Sequence, residues 1–99
     1  MQVLTKLWME FSTIRFPRGY GGKEVNGVCV TYLDSIAVGC VNSYMRKEGN
    51  QISVGHHQIL YDSKVKLADI LKYLDGEALV YFSKLHDICS LITDESTIT

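Results

Sequence analysis

The 99 residues are 46% hydrophobic and 21% charged, with a formal net charge of -1. That balance belongs to a folded globular chain and excludes disordered and collagen-like classes. It also makes nucleic acid an unlikely partner, because phosphate binding depends on a basic surface.

A chain of this length forms one domain, residues 1–99, and buries only roughly two-thirds of its unfolded surface, so a partner subunit is a natural supplement to its stability. No apolar run reaches the roughly 20 residues that span a bilayer, and no membrane association is expected. The opening Met1-Gln2-Val3-Leu4-Thr5-Lys6 lacks the basic and apolar regions of a secretory leader, and the expected location is cytoplasmic. Charge is uneven along the chain. Residues 1–23 hold four bases and one acid, and residues 75–99 hold five acids and one lysine. Three cysteines, with no CxxC pair, favour free thiols over a disulfide framework.

Two periodicities compete in residues 3–16. Leu4, Leu7, Trp8 and Phe11 would share a helical face, while Leu7, Met9, Phe11 and Thr13 alternate as in a strand. The β-rich end Phe11-Ser12-Thr13-Ile14-Arg15-Phe16, stopped by Pro17, favours a strand over 8–16. The segment Pro17-Arg18-Gly19-Tyr20-Gly21-Gly22-Lys23 is a glycine-rich loop with two bases. Its glycines permit backbone N-H groups to converge on an anion, but it matches neither the Walker pattern nor GxGxxG. A contact with nucleic acid through Arg15, Arg18 and Lys23 is the weakest functional reading. Asn26-Gly27 signals a turn.

Val28–Leu33 and Ile36–Met45 read as two strands broken at Asp34-Ser35, and Gln51–Tyr61 as a third after a turn at 47–50. In that register Cys29 faces Cys40, and His57 faces Cys40 or Asn42. Both sheet faces are apolar, so one seats helices and the other needs a cover. Asp62-Ser63 reads as an N-cap for a helix carrying Leu67, Ile70, Leu71 and Leu74, closed by Gly76. Ala78, Phe82, Leu85, Cys89 and Ile92 mark a second helix over 77–93, although 78–82 also reads as a strand, and 94–99 reads as a frayed tail.

The assumed register sets Cys29, Cys40 and His57 in a row across strands about 4.8 Å apart. Thiolate and imidazole are zinc ligands, and a fourth would come from His86, a tyrosine or water. The same atoms could serve as nucleophile and base, with His57 drawing the proton from Cys40 and Asn42 orienting the ring. A Cys29-Cys40 disulfide is sterically possible but would not persist in a reducing compartment. Against these stands the ordinary role of unpaired cysteines as small buried hydrophobes.

The predicted fold is therefore α+β: an antiparallel meander of three or four strands over 8–61, with two C-terminal helices over 63–93 packed on one face. The predicted function is a small non-enzymatic binding or protein-interaction domain acting as a homodimer, with no cofactor. A pocket near Tyr20, Tyr32 or Tyr73 would take a small molecule. The alternative is a small metal-dependent or Cys/His hydrolase using Cys29, Cys40 and His57.

Overall fold

Residues 2–47 and 51–98 are described in a computed structural model, and the main elements among them are helices. Helix α1 runs Gln2–Ser12, α2 Val30–Arg46, α3 Val54–Leu71 and α4 Gly76–Glu95. The extended pieces are two-residue pairs. Strands β1 (Glu24–Val25) and β2 (Val28–Cys29) pair antiparallel, and β3 (Gln51–Ile52) pairs parallel with β4 (Thr97–Ile98).

The α+β meander is thus wrong, and the sheet region assigned to 8–61 is largely helix. The second and third strands, Ile36–Met45 and Gln51–Tyr61, lie in α2 and mostly in α3. Their error has one physical source. When apolar residues occupy most positions of a segment, alternation and helical spacing fit the same residues, and tertiary burial decides between them. In α2 the buried set is Val30, Leu33, Ala37, Cys40, Val41 and Tyr44, at steps of three, four and one, which is one face of a helix. Asp34-Ser35 is no turn: both lie in the first turns of α2, Ser35 exposed and Asp34 half-buried. The break at 47–50 falls partly on residues 48–50, outside the described residues.

The strand assigned to 8–16 is corrected in the same way. Leu4 and Phe11 are buried on α1, with Leu7 and Trp8 packed against the core. Ser12 Oγ donates to the Trp8 carbonyl at 2.7 Å and Thr13 Oγ1 to the Glu10 carbonyl at 2.7 Å, turning the chain out of the helix before Pro17. Asp62-Ser63 does not cap a helix either. Ser53 does, with extended backbone and its Oγ accepting the His56 N-H at 3.2 Å, so α3 starts ten residues earlier. Thr97 and Ile98, assigned to a frayed tail, pair with β3.

Helix α4 is the centre of the molecule. It buries Ala78, Tyr81, Phe82, Leu85, Ile88, Cys89 and Ile92, packs along α3, and receives α1 and α2 on its remaining sides. Gly76 stands at its start with φ +56, a conformation that favours glycine, rather than closing the helix before it. Tyr81 joins an aromatic cluster, its ring 4.7 Å from Phe11, 5.6 Å from Phe16 and 5.0 Å from Phe82, with tilted and edge-on contacts. The Cα radius of gyration is 12.9 Å, against about 13 Å for a compact chain of about 100 residues.

Candidate functional site

The Cys29, Cys40 and His57 row does not form, because a row needs three adjacent strands and these residues lie on β2, α2 and α3. Among the described residues no group of three histidine, cysteine or acidic side chains is placed to hold a metal. Cys40 is buried on α2, where burial pushes its thiol above the ordinary range. Burial pushes the Cys89 thiol of α4 up to about 12, with neighbouring Cys40 adding to the shift. A nucleophile needs a thiol held low and exposed, so Cys40 is the reverse of one. His57 places Nε2 3.2 Å from the Thr93 carbonyl, which joins α3 to α4. His86 lies beside Asp87, Nδ1 to Oδ1 3.3 Å.

Four N-H groups of the glycine-rich loop are bonded within the chain, Tyr20 N to the Pro17 carbonyl at 3.4 Å among them. Arg18 N donates to Glu77 Oε1 at 3.1 Å, Gly22 N to Thr31 Oγ1 at 2.7 Å, and Lys23 N to the Tyr20 carbonyl at 3.1 Å. Lys23 Nζ itself sits 4.6 Å from the centre of the Tyr20 ring. Asn26 and Gly27 both have positive φ, the hairpin geometry that an Asn-Gly turn favours.

The three tyrosines do not meet. Tyr20 is packed in the loop under Lys23, Tyr73 is exposed between α3 and α4, and Tyr32 is exposed on α2. Tyr32 lines a cleft. It closes with Val28, Cys29, Leu33, Ile36 and Lys66 around about 210 Å³, between the start of α2 and the side of α3. That is below the roughly 300 Å³ at which small-molecule sites begin.

The feature that sequence reasoning missed is the outer surface of α3. Leu60, Leu67 and Ile70 are buried on one side of this helix. On the other, Val54 is 66% exposed, Tyr61 47% and Val65 45%. With exposed Ala68 they occupy an arc of roughly 60° at 3.6 residues per turn. An amphipathic helix serving one core places polar residues there. The signal was present as the 7, 4 and 3 spacing of Val54, Tyr61, Val65 and Ala68, and assigning 51–61 to a strand hid it. Around this surface, Lys64 Nζ lies 5.1 Å from the Tyr61 ring centre, and Gln58 Nε2 donates to Asp62 Oδ1 at 2.9 Å.

No protein-family model, curated protein or solved structure matches the chain.

Proposed function

We propose that this chain is a small helical protein-interaction domain that works as a homodimer in the cytoplasm and carries no chemistry of its own. The observation behind this reading is the apolar outer side of α3, where Val54, Tyr61 and Val65 stand in solvent. Val3, Met9, Tyr32, Tyr73 and Val80 are also exposed, but on other parts of the chain; on α3, Val54, Tyr61 and Val65 line up in one strip, and such a patch marks association. A helix with one apolar side in the core and another outside has two partners to satisfy, and one of them is not in this chain.

Hydrolase and metal chemistry lose their support with the dispersal of Cys29, Cys40 and His57. Nucleic-acid contact through Arg15, Arg18 and Lys23 is the weaker reading, since the Arg18, Tyr20, Gly22 and Lys23 N-H groups of the loop are bonded within the chain. The cytoplasmic location is favoured by three free thiols, two of them in the core. Among the described residues no helix is long and apolar enough to cross a membrane.

Light scattering on the purified chain tests the reading. The expected mass is twice 11.2 kDa at high concentration, falling toward 11.2 kDa on dilution. A mass of 11.2 kDa at every concentration would overturn it.

A further inference from the structure

We infer that two copies of this chain pair through α3, side by side and parallel, about a twofold axis. The inference rests on the homodimer reading above and names its interface.

The stripe Val54, Gln58, Tyr61, Val65, Ala68, Lys72 follows steps of four, three, four, three and four, which is the seam of a coiled coil. It points away from the core, opposite Leu60, Leu67 and Ile70. From Val54 to Ala68 it extends about 21 Å at 1.5 Å rise per residue, room for two heptads. A β-branched residue, Val65, stands at the position where valine favours two strands over three or four. Gln58 stands at the equivalent position one heptad earlier. A polar side chain there meets its own copy in a parallel pair and fixes the register.

Charge selects the direction. Asp62 and Asp69 flank one side of the seam, and Lys64, laid against Tyr61, flanks the other. An antiparallel pair would set the acidic flanks against each other. A parallel pair sets each Lys64 beside the partner's Asp69, five residues further along, and the twofold axis makes that contact twice. The occupant that satisfies both apolar seam and flanking charge is therefore a second α3. With only two heptads and few large side chains, the interface belongs to the weak, transient class.

Three sets of variants, read by sedimentation and by oxidative cross-linking, test this. Val65→Glu, exposed and remote from the core, is expected to weaken association at least about tenfold with unchanged helix content. In a Cys29→Ser background, Val65→Cys is expected to form an intermolecular disulfide, because a parallel pair sets every seam residue against its own copy, whereas an antiparallel pair centred on this stripe, near residues 61–63, does not bring the two Val65 positions together. Lys64→Glu and Asp69→Lys are each expected to weaken association about three- to tenfold, and the double exchange to restore it, as two exposed ion pairs allow. A dimer that survives Val65→Glu and forms no such disulfide overturns the α3 pairing and leaves the homodimer reading intact. A double exchange no better than the single ones overturns the parallel arrangement. A wild-type chain that stays at 11.2 kDa overturns both readings, whatever other protein the seam receives.

Discussion

Tyr81 Oη donates a 2.6 Å hydrogen bond to Asp34 Oδ1, tying the middle of α4 to the first turns of α2 across 47 positions of sequence. The tie has a pH signature. Burial raises the Asp34 carboxyl above its ordinary value of 3.8, and the Tyr81 hydrogen bond partly opposes this. Burial, then the hydrogen bond to Asp34 and its charge, raises the Tyr81 phenol above 10.0.

A carboxyl whose pKa is higher in the folded chain contributes stability that is complete below the unfolded value and lost as pH rises through the folded one. Asp34→Asn keeps an acceptor for Tyr81 and removes the burial cost of the charge. It is expected to raise stability at pH 7 by roughly 0.5 kcal/mol, small because Asp34 is only half-buried, and to flatten the slope just above 3.8. Tyr81→Phe strands the carboxylate, with an expected loss of about 1–2 kcal/mol at pH 7 and less in acid. The phenol follows the same sign, so wild-type stability falls as pH climbs above 10.0, and Tyr81→Phe makes that fall shallower, the raised Tyr44 phenol and buried thiols keeping their share. Urea unfolding across pH checks all three.

Ser63 points into the core from α3, and its Oγ has no hydrogen-bond partner among the described residues. A buried hydroxyl left unpaired costs about 1–3 kcal/mol. Ser63→Ala is therefore expected to raise stability by about 1 kcal/mol, measured as a higher urea midpoint at unchanged slope. A loss of stability would show that the hydroxyl is satisfied.

The three thiols differ in access. Cys29 is partly exposed beside the cleft, whereas Cys40 and Cys89 are buried and both raised, Cys89 to about 12. Reaction rate follows the exposed thiolate. Thiol titration of the native chain at about pH 8 is expected to give one fast residue, mapped by mass spectrometry to Cys29, and two that react only on unfolding. Three equal rates would contradict the buried placement of Cys40 and Cys89.

How far residues announce structure varies along this chain. The stripe Ala78, Phe82, Leu85, Cys89 and Ile92 runs along the buried side of α4, because its steps of three and four fit no strand. Helix α2 carried no such notice. Its N-cap is Cys29, which makes no side-chain cap, and Asp34-Ser35 and Gly39 resemble strand punctuation. An added Cβ at Gly39 would meet nothing within 4 Å, so no close packing explains that glycine, which costs a helix interior about 1 kcal/mol. Ser53 did offer a cap, but the histidines and β-branched residues after it favour strands locally, and only packing against α4 makes them helical. The site suffered most. A constellation read from strand register vanishes when the strands do, and the α3 seam is visible only once its helix is drawn through residue 61.

The homodimer through α3 is tested most directly by amide resonances followed over a concentration series. The expected result is a set of concentration-dependent shifts along Gln58, Tyr61, Val65 and Ala68, with α1 and the loop at 17–23 unmoved. Shifts confined to any other element, or none at the concentrations where mass doubles, would contradict it.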